Sequence, residues 1–332
     1  MAEDTQFKAW QVSEQDGEFR GEEVTRKVAD LPEHDVLIKV HYSSLNYKDA
    51  LSASGNRAVT REYPHTPGID AFGDVVSSAD DRIKVGQHVI VTGYDLGMNT
   101  DGGFGEYIRV PAAWCVPMPD GWDGLKAMTY GTAGLTAGLC VSKILMAGAK
   151  PEQGKVAVTG ATGAVGSVCV ELLAGLGFDV VAISGKADQQ SLLNELGAQE
   201  VVGRETLTPG NRPLLKPAYA NAIDTVGGAP LAELLKQIQP GGSVACCGLV
   251  AGAQLETTVL PFILRGVNLL GVDSVEIPLE DKVAVWEMLS GEWACPVTEQ
   301  HRRTIGRAEL AGSLSSFLKG ESVGKVVLDH SL

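Results

Sequence analysis

Residues 156–184 read VAVTGATGAVGSVCVELLAGLGFDVVAIS. A β-branched apolar run ends at Gly160, Gly163 and Gly166 follow at three-residue spacing, and an apolar helical segment leads into a second β-branched run, Val180–Ser184. This order predicts a strand, a helix and a second strand parallel to the first. Each glycine has its own task there. Gly160 permits the tight turn, Gly163 lets backbone N–H groups approach a pyrophosphate, and Gly166 lets the helix pack closely on the strand. A bare glycine triplet says little, but strand, helix and next strand on schedule supply the context of a dinucleotide-binding βαβ unit.

The end of the second strand bears on the choice of dinucleotide. A carboxylate at that place would accept hydrogen bonds from a ribose 2′-hydroxyl and repel a 2′-phosphate. The chain instead reads Ser184-Gly185-Lys186, and Arg204, in the segment VVGRE after the presumed third strand, can reach the same place. A hydroxyl, a glycine and two cations suit a phosphate, so NADPH is expected over NADH, although Asp188 nearby weakens the electrostatic argument.

At 332 residues and 44% hydrophobic, the chain is long enough for two domains with their own cores. Its net charge of −14 repels polyanions at long range, which argues against nucleic acid as a partner and leaves any anionic substrate to a local basic patch. The six cysteines are scattered without a CxxC pair, as expected of a reduced protein, with Cys169, Cys246 and Cys247 serving as small core residues. MAEDTQFKAW has neither the basic nor the apolar region of a secretory signal, and no apolar run reaches membrane-spanning length. A soluble, cytoplasmic protein is the expectation.

Before the fingerprint, short strand signals at 7–12, 35–42, 73–76, 88–92 and 105–110 are separated by turn residues, as in an antiparallel, barrel-like domain. A helical pattern over 125–147, tolerating glycines at 131, 134 and 138, connects the halves. After the fingerprint, helices near 189–196 and 230–238 alternate with strands at 200–202, 221–226 and 243–249, which predicts a doubly wound parallel sheet. Helices near 282–289 and 308–318 and a strand at 325–329 close the chain. A lone terminal strand needs a sheet, so the tail is expected to return to the first domain. The division is then 1–125 with 276–332, discontinuous, around 126–275.

The segments SSLNYKD at 43–49, PGID at 67–70, GGFGEYIRVP at 102–111 and GTAGLTA at 131–137, in this order around the fingerprint, resemble the medium-chain dehydrogenase/reductase superfamily. IDTVGG at 223–228, PFILRGVNLLGVDSV at 261–275 and GKVV at 324–327 resemble its quinone oxidoreductase group, in the acrylyl-CoA reductase branch. The likeness spans nearly the whole chain. It implies an α/β protein in which a GroES-like β-barrel catalytic domain accompanies a Rossmann domain, with a homodimer paired through residues 260–274.

The chain departs from the zinc alcohol dehydrogenases of that superfamily. They need a thiolate in the first barrel segment and a Gly-His-Glu motif, whereas the corresponding places here read Asn46-Tyr47 and Gly68-Ile69-Asp70. Ile69 cannot bind zinc, so no metal is expected. Without a Lewis acid, the easier task is conjugate hydride addition to an electron-poor C=C or to a quinone. In an acrylyl thioester the hydride goes to Cβ and Cα then takes a proton, while hydrogen-bond donors stabilise the enolate.

By the same resemblance, Tyr47 and Asn46 stand nearest the nicotinamide as the catalytic pair. Tyr47 can orient the ring or substrate, or donate a proton directly or through water. Asp49 is expected to fix their turn and Asp70 to bond neighbouring backbone. The cofactor's pyrophosphate falls to Thr162, Gly163, Ala164, Val165 and Gly166, its 2′-phosphate to Ser184, Gly185, Lys186 and Arg204, and its nicotinamide side to Leu249, Ile263 and Ser274. Lys319 and Lys325 are expected at the cleft rim, as partners for coenzyme A or cofactor phosphates. His301, Arg302 and Arg303 form the compact basic cluster, read as a solvated run. The expected activity is reduction of acrylyl-CoA to propanoyl-CoA. The alternatives are a quinone or general alkene reductase and, in another class, a nucleotide-binding structural protein of the lens-crystallin kind.

Overall fold

Strand β1 (Gln6–Gln15) turns back on β2 (Glu18–Lys27) through Asp16-Gly17, whose φ angles of 53° and 80° are those of a two-residue hairpin turn. The sequence predicts no strand over 18–27. EFRGEEVTRK carries no apolar alternation, because both faces of β2 are exposed or half-exposed and its order comes from the ladder with β1. The computed structural model to which these strands belong describes residues 3–332, so Met1 and Ala2 of the predicted first segment lie outside the described residues.

Strands β3 (Val36–Ser44), β4 (Asp70–Ser78), β5 (His88–Thr92), β6 (Tyr107–Val110) and β7 (Val116–Pro117) form one sheet with β14 (Arg303–Ile305) and β15 (Val326–Asp329) from the end of the chain. The spatial order is β14-β15-β3-β4-β5-β7, with β6 on β3. Alternate residues such as Val36, Ile38, Val40, Val89, Val91 and Ile108 fill its interior. Leu328 and Val326 of the terminal strand pack with Trp10, Leu45 and Phe104, so the returning tail completes a core begun at the N-terminal end. Helix α1 (Tyr47–Ala53) follows β3 directly and packs on α9 (Leu310–Leu318).

Helix α2 spans Gly124–Met146, but Gly131, with φ 50° and ψ −154°, breaks it into two pieces. The sequence reading of Gly131 as a tolerated helical glycine is corrected on this point.

Beyond the break, β8 (Val156–Thr159), β9 (Val180–Ser184), β10 (Glu200–Gly203), β11 (Asn221–Asp224), β12 (Ser243–Cys246) and β13 (Asn268–Gly271) pair in parallel. Their spatial order, β10-β9-β8-β11-β12-β13, is the Rossmann order. Helices α3 (Ala164–Gly175), α4 (Gln190–Glu195), α5 (Gly228–Leu235) and α6 (Leu260–Arg265) alternate with the strands. Residues 260–274 are therefore a short helix followed by edge strand β13. Cys169 is fully buried on α3, Cys246 closes β12, and none of the six cysteines is in a disulfide among the described residues.

The chain divides into two units, one of the residues up to Thr132 with Ser274–Ser290 and His301–Leu332, the other of Ala133–Asp273 with Gly291–Gln300. Helix α7 (Leu279–Ser290) belongs to the first. Residues 291–300, which the sequence assigns with the tail to the barrel domain, pack in the second. There Glu171 of α3 accepts the backbone N–H groups of Val297 (2.7 Å) and Thr298 (2.8 Å) at the start of α8 (Pro296–Gln300). A buried carboxylate holds that helix end and satisfies donors the helix leaves open. Among the described residues no helix is long and apolar enough to cross a membrane.

Candidate active site

In the second unit the fingerprint forms as the glycine spacing predicts. Gly160 has φ 60°, and Gly163 stands at the N-cap of α3 with its N–H on the Gly160 carbonyl (2.8 Å). A Cβ on Gly166 would collide with the Gly160 carbonyl oxygen and stand 2.8 Å from Ala161 Cα, so only glycine lets α3 approach β8 this closely. Ala164, Val165 and Gly166 make up the first turn of α3, whose open N–H groups suit a pyrophosphate. Asp224, buried at the end of β11, accepts the Thr159 hydroxyl (2.7 Å) and the Gly227 N–H (2.7 Å), which ties β8 to β11 beside the turn. Burial raises its carboxyl above the ordinary range, and those bonds work against the rise.

The four residues expected at the 2′-phosphate come together. Ser184 Oγ lies 3.2 Å from Thr162 Oγ1 and accepts the Lys186 N–H (3.1 Å). Gly203 pairs with Ser184 across the sheet, which brings Arg204 alongside, and a Cβ on Gly185 would stand 3.1 Å from Arg204 Cδ. Arg204 is exposed and Lys186 half-exposed, as cations that meet a solvent-borne phosphate should be. The Glu205 carboxylate folds over Gly203, so one anion also lies close. Leu249 and Ile263 are exposed in this unit, whereas Ser274 is buried and belongs to the first unit.

The first unit holds a buried polar knot around Asp70. Ser44 Oγ, Asn46 Nδ2 (2.9 Å) and the Thr132 N–H (2.8 Å) donate to its Oδ2, and Thr132 Oγ1 (2.5 Å) donates to Oδ1. Four donors are about as many as one carboxylate can accept. Gly131 makes this possible, since a Cβ there would collide with Ser44 Oγ and stand 2.6 Å from Asp70 Oδ2. The expected role of Asp70 as a partner for backbone is thus widened, and Ser44 and Thr132, which lie within SSLNYKD and GTAGLTA with no role assigned there, join the site.

Asp49, fully buried, accepts the N–H groups of Asn46 (2.7 Å) and Ile69 (2.8 Å), which joins the start of α1 to the start of β4. Burial pushes its carboxyl up to about 7, the nearby Asp70 adds to the rise, and the two backbone N–H bonds and the Asn46 side chain oppose it. Asn46 is the N-terminal flanking residue of α1, 9% exposed, and Tyr47 opens the helix half-buried against the core. No hydrogen bond holds the Tyr47 hydroxyl among the described residues.

Lys325 departs from its expected place at a rim. It is 2% exposed, and its Nζ donates to the Tyr130 carbonyl (2.8 Å) in the last turn before the Gly131 break. Desolvation lowers its ammonium to about 8 while Asp70 favours the charged form. GKVV therefore marks an interior lysine, placed just before β15. Lys319 is exposed at the end of α9. Arg303 donates to Ser313 Oγ (2.8 Å), which ties one member of the basic cluster to α9.

These donors do not fit a catalytic metal. Ile69 is apolar and 2% exposed, Asn46 offers neither a thiolate nor an imidazole, and the Asp70 carboxylate already accepts four hydrogen bonds. Among the described residues no group of three or more His, Cys, Asp or Glu is placed to hold one.

Two family models match the chain, "Alcohol dehydrogenase GroES-like domain" over residues 32–120 and "Zinc-binding dehydrogenase" over residues 164–290. The chain is 44% identical to a Bacillus subtilis (strain 168) protein named as quinone oxidoreductase YhfP, over 98% of this chain and 99% of that one. The crystal structure of that protein, with NAD bound, superposes with a TM-score of 0.93. Acrylyl-CoA reductase AcuI of Ruegeria pomeroyi is 42% identical over 91% of this chain and 92% of its own. The crystal structure of Escherichia coli K-12 YHDH with bound NADPH matches with a TM-score of 0.94 at 43% identity, covering 97% of this chain and 99% of that one.

Proposed function

Because the chain belongs to the medium-chain dehydrogenase/reductase superfamily and is an oxidoreductase of its quinone oxidoreductase group, we propose that it reduces the activated C=C of a short 2-enoyl-CoA with NADPH, acrylyl-CoA becoming propanoyl-CoA. The single observation that carries this reading is the Asp70 knot. Hydrogen bonds fill the place where metal-dependent relatives keep their ligands, so the chain's own chemistry is limited to binding, orientation and proton transfer.

Ser184, Lys186 and Arg204 hold the 2′-phosphate, and the Thr162–Gly166 backbone holds the pyrophosphate. When bound, the reduced nicotinamide supplies a hydride, here to Cβ of the thioester. Tyr47, with its hydroxyl uncommitted, donates to the thioester oxygen as charge develops there or delivers the proton to Cα. Asp49 and Asp70 keep the start of α1 in place.

A quinone as acceptor is the second reading, favoured by the name of the Bacillus subtilis relative. NADPH oxidation measured with acrylyl-CoA, free acrylate and a quinone separates the two. Turnover with the quinone and none with acrylyl-CoA would defeat the first reading. We also propose a cytoplasmic homodimer. Edge strand β13, beside the exposed apolar Val259, Ile263 and Leu264, supports pairing of two copies, and light scattering would measure it.

A further inference from the structure

We infer that Glu205 is a cofactor-selecting residue set against Arg204, its carboxylate taking the 2′-hydroxyl of an unphosphorylated ribose, so that the site admits NADH beside NADPH. This rests on the proposed function for the dinucleotide at the end of β9, and every residue it uses lies in the second unit.

Arg204 and Glu205 are consecutive, and each lies over a glycine at the end of a neighbouring strand. A Cβ on Gly185 would stand 3.1 Å from Arg204 Cδ, and a Cβ on Gly203 would run into both oxygens of the Glu205 carboxylate. The carboxylate thus fills the place that a side chain at 203 would take. Gly203 is paired with Ser184 in the parallel ladder of β10 and β9. Paired residues of a sheet share a face, so the carboxylate lies on the face that carries the Ser184 side chain. On that face Ser184 Oγ meets Thr162 Oγ1 (3.2 Å) beside the fingerprint turn.

Opposite charges this close in the chain commonly pair. Here both residues are exposed, and no ion pair or hydrogen bond engages either side chain among the described residues. Asp188, the other carboxylate close in sequence, accepts the Gln189 amide (2.7 Å). A ribose 2′-hydroxyl is a donor that a carboxylate accepts, whereas a 2′-phosphate is an anion that it repels. Sites for NAD carry this carboxylate at the end of the second strand. Ser184 leaves that place without one, and β10 supplies it from the side through Glu205. Arg204 answers the phosphate and Glu205 the hydroxyl, so the preference for NADPH is narrower than the two cations alone would set.

The test is a binding titration of wild type, Glu205→Ala, Glu205→Gln and Asp188→Asn with NADPH and NADH. Adenosine 2′,5′-bisphosphate and adenosine 5′-monophosphate serve as probes of the adenosine end alone. Glu205→Ala should bind NADH and the monophosphate about 3–10-fold more weakly, the scale of one hydrogen bond at an exposed site. It should bind NADPH and the bisphosphate about 3–10-fold more tightly, since an anion has left the neighbourhood of the phosphate. Glu205→Gln keeps an acceptor and loses the charge, so it should tighten the phosphorylated pair and weaken the other pair less. Asp188→Asn should leave NADH binding as it is in wild type. Shifts of the same sign for both cofactors, or unchanged NADH affinity in Glu205→Ala, would overturn the inference, as would an equal loss of NADH binding in Asp188→Asn. Failure of wild type to bind NADPH and the bisphosphate would instead overturn the cofactor reading. Glu205 is exposed, so neither replacement threatens the fold.

Discussion

The Arg204 side chain lies along the backbone of Gly185, close enough that a Cβ at 185 would stand 3.1 Å from Cδ and 3.3 Å from Nε. The glycine leaves the guanidinium room at the end of β9, where a 2′-phosphate would be held between it and Lys186. Arg204→Ala should weaken NADPH binding roughly tenfold or more, since a charged hydrogen bond is worth about 1.5–3 kcal/mol, and leave NADH binding nearly as it was. Titration of both cofactors against wild type and variant measures this. Equal losses for the two would remove Arg204 from the phosphate site.

Tyr47 carries the one hydroxyl at the start of α1, and no protein group holds it among the described residues. Tyr47→Phe should lower turnover by about 10²-fold, the lower end of general acid catalysis, with the Kd for NADPH unchanged. Steady-state rates beside a cofactor titration supply both numbers, and wild-type turnover in the variant would end the assignment of Tyr47 to proton transfer.

Gly131 is where helix geometry gives way to the polar knot. Gly131→Ala meets two penalties, a φ of 50° that disfavours a side chain and a Cβ driven into Ser44 and Asp70. A destabilisation of about 2–4 kcal/mol is expected, with a lowered Tm in thermal unfolding. Gly148 has φ 93° but nothing within 4 Å of a Cβ, so Gly148→Ala serves as a control for the φ penalty alone.

Asp49 makes stability depend on pH in the direction opposite to a salt-bridged carboxylate. Its native carboxyl sits near about 7 against 3.8 as an ordinary group, so from about pH 4 to 7 the native state keeps a proton that the unfolded chain has released. Its contribution is fully present below that window and is lost as pH rises through about 7. Asp49→Asn removes the titration, at the loss of one acceptor for the Asn46 or Ile69 N–H. Denaturant unfolding at pH 5 and pH 8 should show wild type losing more stability between the two than the variant does. Equal losses would mean that Asp49 ionises in the native protein as it does in the unfolded chain.

The nucleotide-binding half was legible because its signals are local. Each strand is a β-branched run, each turn needs a glycine, and the cations proposed for the phosphate lie within a few residues of a strand end. The polar knot is built the other way. Ser44 and Asn46 come from one segment, Asp70 and Thr132 from two others far along the chain, and Gly131 looks like a helical glycine until the atoms it must clear are known. Lys325 misled for a related reason, since a lysine at a strand start is commonly exposed and only the packing of β15 shows it turned inward. Strand β2 had a readable sign, Asp16-Gly17, but its polar sequence masked the run that follows.

A metal centre could not be built in this chain by introducing one ligand at a time. Ile69→His would set an imidazole beside a carboxylate whose lone pairs are already filled, and an Asn46→Cys thiolate would remove the amide that neutralises part of that charge while adding a second anion. Each change alone worsens what stands there, and the reward comes only when several are made together. The hydrogen-bonded knot thus acts as a lock on the chemistry of this place: with Asp70 held by its donors, no single substitution turns it into a Lewis-acid site.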